Sequence, residues 1–332
     1  MFKLIKLDFY DSFKCLMSEC TDNCCDEDWD IYIDDETYEL YKKIGIPDLD
    51  SHITSTVPRK LIKKDNKCPF ITPEGLCLFH RDYGEEYLSN TCRSYPRFVS
   101  SYGDVYLETL GLSCPATVSC VLKYEKEIEF PDNIYYEEND QIGIKPDRSD
   151  AERTAYAAMK QFVPNTSVTG TYLSLIGDLA VTSCVRTCSA DRMLTVLKDI
   201  MKGTPSERYV NELFPADQMI SVAGDVLILD DEKIIETEKQ LIDSNSLFCC
   251  NMNRMIMFEH MMLDSQSDHP DSDKVFVKGL IVWILLLMTF GYVNEQTEEY
   301  SGSRIVDHTY KLMRITDHGD NVLDAFLNRM SL

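Results

Sequence analysis

Apolar positions recur at three- and four-residue spacing through the second half of the chain. This predicts helices over 151–163, 171–186, 190–202, 206–220, 231–245, 247–264, 273–292, 301–314 and 319–330. The first 120 residues read differently. Trp29–Ile33 alternates in the manner of a strand, and Asp34 and Asp35 offer an N-cap to a short helix over Glu36–Lys43. Arg97–Ser101 and Val105–Leu112 read as two strands joined by a turn at Tyr102-Gly103-Asp104. Between them and the helices, residues 125–150 are acidic and irregular, with two prolines and room for one edge strand. The pattern predicts an α+β fold that is mainly α. A small cysteine-rich head with short strands (1–124) leads through an acidic connector (125–150) to an all-helical body (151–332).

The longest apolar run, Gly279–Phe290, is short for a bilayer span and follows Asp273 and Lys278, so a buried helix is expected. The opening residues carry no apolar stretch of signal-peptide length, and the expected location is the cytoplasm. A hydrophobic share of 44% is enough to build a core over 332 residues. Charge changes the picture more. With 56 acidic against 33 basic residues the formal net charge is −23, which argues against nucleic acid and against anionic membranes as partners. It is compatible with a lysine-bearing protein partner, although an acidic soluble surface needs no partner at all.

Thirteen cysteines are unusual for a reducing compartment, where thiols serve metal or redox chemistry more often than disulfides. Nine of the thirteen fall between Cys15 and Cys120, whereas a use in core packing would scatter them. Cys20 and Cys24 are spaced to share one side of a helical turn, next to Cys25. Cys68 and Cys77 flank a turn at Thr72-Pro73-Glu74-Gly75, and Cys92 and Cys114 are equidistant from Gly103. Each of these two turns therefore returns one thiol to another. An all-thiolate site suits zinc or an iron–sulfur cluster, and C-x2-C pairs of the zinc-knuckle kind are absent. Seven or eight thiolates exceed the four that one cluster needs, leaving either a second metal or structural cysteines. Cys184, Cys188, Cys249 and Cys250 read as core or boundary residues, and Cys120 is left unassigned.

At these residues the chain resembles the bacterial flagellin lysine N-methylases. The likeness runs through FKCLMSECTDNCCDEDWDIYID, YELYKKI, CPFITPEGLCLFHRDYGEEYLSNTCRSYPRF, GDVYLETLGLSCPA and the closing helical region. LSNTCRSYPRF and LSCPA are its most specific elements. The cysteine-rich head alone also resembles a wider group of small cysteine-cluster proteins assigned to zinc or iron chelation. The resemblance implies a methyltransferase acting on flagellin lysines, S-adenosylmethionine as donor, and an iron–sulfur cluster, most simply 4Fe–4S. The ligands it implies are Cys20, Cys24, Cys25, Cys68, Cys77, Cys92 and Cys114, with Cys15 weaker. The chain departs from the family where Leu16 and Met17 follow the first cysteine. It has neither a Gly-rich nucleotide loop nor the C-x3-C-x2-C spacing of radical enzymes.

Methylating a lysine requires its neutral amine, so a group must accept the proton or exclude water. Tyr95, Glu85 and Glu86 are the catalytic candidates, with His80 nearby in sequence; the two glutamates are otherwise a solvated helix start. Arg93 and Arg97 flank Tyr95 and are candidates for binding a donor carboxylate or offsetting cluster charge, the alternative being surface ion pairs. His260, His308 and His318 read as lone structural histidines, and the methionines from Met252 to Met262 as core. Two other functions fit the same residues. One is a non-enzymatic iron- or zinc-binding protein; the other is a structural zinc head on a partner-binding helical body.

Overall fold

The computed structural model describes residues 2–27, 29–65, 67–102, 105–129, 134–136, 157–177, 183–219, 226–264, 272–293, 300–317 and 322–330. Its strands are β1 (Phe2–Lys6), β2 (Tyr32–Ile33), β3 (Arg59–Lys60), β4 (Arg97–Tyr102), β5 (Val105–Leu110) and β6 (Ile134–Tyr136). The head carries helices α1 (Asp35–Lys43), α2 (Leu49–His52), α3 (Leu78–Asp82), α4 (Asn90–Ser94) and α5 (Pro115–Lys123). The body carries α6 (Val168–Ile176), α7 (Ser183–Arg186), α8 (Ala190–Met201), α9 (Glu207–Leu213) and α10 (Glu232–Asp264). It closes with α11 (Ser272–Gly291), α12 (Gly302–Asp317) and α13 (Val322–Met330). The fold is α+β and mainly α.

Asp34 caps α1 as the sequence predicts, its carboxylate accepting the Thr37 N–H at 2.9 Å. The β4–β5 hairpin forms where expected, but one residue off the register centred on Gly103: Arg97 lies opposite Leu110 and Tyr102 opposite Val105, with Gly103 and Asp104 outside the described residues. One strand goes beyond the pattern: β1 pairs parallel with β5 and antiparallel with β6, giving the sheet order β4-β5-β1-β6. Strand β6 is the connector's edge strand. The strand expected over Trp29–Ile33 shortens to Tyr32–Ile33, paired with β3.

In the body, the helix expected over 171–186 stops at Ile176, because Gly177 takes a positive φ of 58°. The pair expected over 231–245 and 247–264 is one helix, α10, kinked where Asn245 leaves helical geometry at φ −142°, ψ 42°. Of the stretch 151–163, residues 157–159 are helical and 151–156 lie outside the described residues. Helix α11 is the apolar run. Its Lys274–Gly291 window is long and apolar enough to cross a bilayer, yet 83% of that window is buried among other helices. It packs along α10 and α6, the position of a core helix.

Two apolar cores result. The larger joins the body to Leu7, Phe9, Leu110, Leu112 and Cys114 of the head, and α5 packs on α10 and α12. The smaller lies wholly inside residues 25–92, around Ile31, Tyr41, Phe70 and Phe79, with Tyr41 and Phe79 stacked at 3.8 Å. Cys188, Cys249 and Cys250 are buried in the larger core as expected, along with Met252, Met255 and Met257. His308 is buried and bonded to Thr289 Oγ1 at 2.9 Å, whereas the buried His260 leaves Nε2 without a partner. The side chain of Cys184 and all of His318 lie outside the described residues.

Candidate metal centre and its buried arginine

The turn at Thr72–Gly75 closes as the sequence predicts. Gly75 donates to the Thr72 carbonyl at 2.9 Å with φ +76°, and Ile71 bridges Cys77. The Cys20–Cys25 segment forms differently. Cys20 and Asn23 are extended, and a 3-10 turn starts only at Cys24, because the Asn23 side chain accepts the Cys25 N–H at 2.9 Å and holds the chain out of a helix. Cys20 and Cys24 are thus joined by a loop and not by a helical turn. The Asn23 amide then donates to the Gly75 carbonyl at 3.2 Å, and Cys68 N–H donates to the Cys25 carbonyl at 3.1 Å. These bonds seat the loop on the segment carrying Cys68 and Cys77.

The described cysteines are all free thiols. Cys15, Cys20, Cys25, Cys77, Cys92 and Cys114 each lie within electrostatic reach of Cys24. Cys68 lies within reach of Cys77 and Cys92. Each of these eight thiols therefore lies within electrostatic reach of at least one other. The Cys25 thiol donates to the Cys24 sulfur, which lowers Cys24 and holds Cys25 protonated. Burial pushes Cys68 and Cys114 up to about 12 and Cys92 up to about 11, and raises Cys15, Cys20 and Cys77 as well. Buried thiols of this kind become thiolates only when a cation joins them. Backbone N–H groups of Phe70, of Phe79 and His80, and of Ala116 and Thr117 point at the sulfurs of Cys68, Cys77 and Cys114 respectively. Amides so placed support metal-bound sulfur, and the donor set fits a thiolate-ligated metal group. Among the described residues, no three His, Cys, Asp or Glu side chains converge closely enough to hold a single ion.

The pattern along the chain did not single out the residue that locks this site. Arg314 of α12 has a side chain only 1% exposed. It pairs with Asp22 and Glu27 at 2.6 Å each, and donates to the Ser113 carbonyl at 3.0 Å and the Asp22 carbonyl at 3.1 Å. Its guanidinium lies 4.9 Å from the Tyr310 ring and 5.9 Å from that of Trp29. Arg208 meets Glu27 at 2.6 Å, and Tyr209 donates to Asp22 at 2.8 Å. Burial works against the charge on Arg314, but Glu27, Tyr209 and Asp22 outweigh it and hold the guanidinium charged. One signal was legible: Arg314 falls on the apolar side of α12 with Tyr310 and Met313, where a solvated arginine has no place.

The remaining candidates separate. Tyr95 sits at the thiols, with its ring 5.2 Å from Trp29 and its hydroxyl 3.2 Å from Ser113 Oγ. Burial, then the charge of Cys114, raises it well above the ordinary tyrosine value. Glu85 and Glu86 are exposed on a 3-10 turn, Glu85 within electrostatic reach of Cys15. Arg93 donates to the carbonyls of Glu86 and Leu88, stitching that turn to α4. Arg97 donates to the Phe13 carbonyl at 3.3 Å and also reaches Cys15. His80 is half-buried on α3. A cavity of about 370 Å³ between α8 and α9, lined by Lys198, Asp199, Lys202 and Glu207 among others, stands apart from the thiols.

Comparison with known proteins places this chain in a lineage. The flagellar biosynthetic protein FliU of Salmonella muenchen is 30% identical over 129 residues, 34% of this chain and 73% of that protein. The lysine-N-methylases of Salmonella typhimurium and Salmonella choleraesuis are each 30% identical, over 127 and 129 residues. Those matches cover 34% of this chain and 31% of each relative, so the chain spans about a third of the methylases' length. No family model and no solved structure matches the chain. With nearly three quarters of one such relative covered at that identity, the chain belongs to the flagellin lysine N-methylase family.

Proposed function

We propose that this chain is a protein-lysine N-methyltransferase acting on flagellin in the cytoplasm, with S-adenosylmethionine as donor and a 4Fe–4S cluster on the thiols of the head. The observation that carries the reading is the set of free head thiols within electrostatic reach of Cys24, in a chain whose relatives are named lysine-N-methylases. A zinc ion with sulfur bonds of about 2.3 Å would draw four sulfurs to within about 3.8 Å of one another. A cluster holds its ligands around a larger body and spaces them further apart.

In this reading the chain's own residues take distinct roles. Cys20, Cys24, Cys25, Cys68, Cys77, Cys92 and Cys114 supply sulfur ligands, and the bound donor supplies the methyl group. Tyr95, buried within electrostatic reach of Cys114 with its hydroxyl on Ser113 Oγ, is the group that meets the incoming amine. Glu85 and Glu86 on the exposed rim attract the lysine while it is still an ammonium. Arg97 offers a cation to the donor's carboxylate, and Arg93 shapes the rim. The net charge of −23 favours a substrate with cationic patches.

The test is anaerobic purification with iron, sulfide and zinc analysis, followed by mass spectrometry of co-expressed flagellin. A brown protein containing iron and sulfide, with methyl additions on flagellin that disappear in Cys92→Ser, is the expected result. A colourless zinc protein that leaves flagellin unmodified would overturn the reading and favour a structural zinc head.

A further inference from the structure

We infer that the protein substrate is held as an added strand along the outer edge of β4, which presents its lysine beside Tyr95. The inference rests on the methyltransferase reading and deepens it by naming the form in which the substrate is read. Strand β4 ends the sheet order β4-β5-β1-β6, and among the described residues no strand or bridge pairs with its outer side. The Gly111 N–H donates to the Pro96 carbonyl at 2.8 Å, in the same register that sets Arg97 opposite Leu110 and Tyr102 opposite Val105. Bonded and non-bonded pairs alternate along an antiparallel ladder, so Phe98, Ser100 and Tyr102 turn their backbone groups inward to β5. Arg97, Val99 and Ser101 turn theirs outward. Their amides and carbonyls stand in a row, a template for one more extended chain.

Edge strands that are kept from pairing carry a lysine, a proline or a bulge. The sequence RFVSSY contains neither residue, and six consecutive pairs with β5 leave no bulge. Phe98 is 36% exposed and Val99 57%, on opposite faces of the strand, so apolar side chains border the open edge on both sides. Arg97, the one charge on the strand, is held by the Phe13 carbonyl and lies 5.2 Å from the Phe13 ring. Position ties this edge to the candidate site. Tyr95 precedes the strand by two residues, and its ring lies 6.5 Å from that of Phe98. An added strand runs about 4.8 Å from its neighbour, a gap that the four-carbon stem of a lysine spans. Charge then chooses the occupant. A second copy would bring another net −23 to the same edge, whereas a lysine-bearing segment brings the opposite sign. A substrate read this way is extended where it is methylated, and lysines inside a folded helix are not presented.

Hydrogen–deuterium exchange of the full chain, with and without a synthetic peptide of alternating lysine and valine, tests this. Residues 97–102 are expected to exchange rapidly in the free chain and slowly with the peptide bound. Two further peptides carry N-methyl groups on one or the other alternating set of backbone nitrogens. An added strand faces β4 with one set only, so one of these peptides should lose binding and the other keep it. Val99→Pro removes an outward N–H, spares the inward ladder, and should weaken the unmodified peptide about tenfold. Slow exchange in the free monomer, equal binding by the two methylated peptides, or equal binding of a version with glutamate in place of lysine each overturns the inference. Protection that appears with dimerisation does so too, by making a second copy the occupant. Flagellin methylated at the full rate by Val99→Pro would sink docking on β4 and leave the methyltransferase standing. Peptide held on β4 with flagellin never methylated would do the reverse. The wild-type arms decide even where Val99→Pro fails to fold.

Discussion

Removing the guanidinium of Arg314 would leave Glu27, itself only 4% exposed, without its buried cation. Breaking one partner of a buried pair costs about 3–5 kcal/mol. Arg314→Met is expected to lower the unfolding free energy by that amount, measured by urea denaturation followed through helical circular dichroism. Arg314→Lys recovers only part of it, because one ammonium cannot reach Asp22, Glu27 and the Ser113 carbonyl in the same planar array. A loss below about 1 kcal/mol, as for an exposed pair, would mean that Arg314 is no lock. At this scale the sequence was legible where chemistry is local. Asp34 caps the helix three residues ahead, and Gly75 takes the left-handed backbone its turn requires. It was silent where partners are remote, since nothing near Asp22 or Glu27 announces an arginine at the far end of the chain.

The helices α10 and α12 hold a second buried charge problem. Burial raises Asp317 to about 7, against an ordinary carboxyl value of 3.8, and burial and then the charge of Asp317 raise Glu259 as well. Glu259 accepts the Leu112 N–H, while Oε2 of Glu259 and Oδ2 of Asp317 have no partner. The folded state holds its proton more tightly than the unfolded chain. The associated stability is therefore complete below about pH 4 and is lost as pH rises through about 7. Asp317→Asn should flatten that dependence: its melting temperature gains most over wild type at pH 8 and least at pH 5. Parallel curves for the two proteins would rule the pair out as the source. Elsewhere the body depends on small residues, for a Cβ at Gly279 of α11 would lie 2.6 Å from the Tyr172 hydroxyl of α6. Gly279→Ala is expected to cost about 1–3 kcal/mol by overpacking, measured in the same denaturation assay. Helix positions were legible because their apolar stripes are local. The Asn245 kink within α10 and the stop at Gly177 are the points where backbone geometry departed from periodicity.

Across the whole molecule, a net charge of −23 acts before any contact is made. Raising ionic strength from low to physiological salt should slow methylation of flagellin at subsaturating concentration while leaving the saturated rate unchanged, as screened steering requires. A salt-independent rate would remove charge from the account of recognition. The division into head and helical body was legible from the change of hydrophobic period. The strand Phe2–Lys6 was not, because its partners Val105–Leu110 and Ile134–Tyr136 lie more than a hundred residues on. Arg314 extends the same separation to its limit, standing 292 residues after Asp22. A ribosome adding about 5–20 residues per second would leave an interval of about 15–60 s between making the cysteine loop and making the arginine that clasps it. For that time the thiols are attached to a chain that cannot yet close over them, and order of synthesis itself sets how long they stay open.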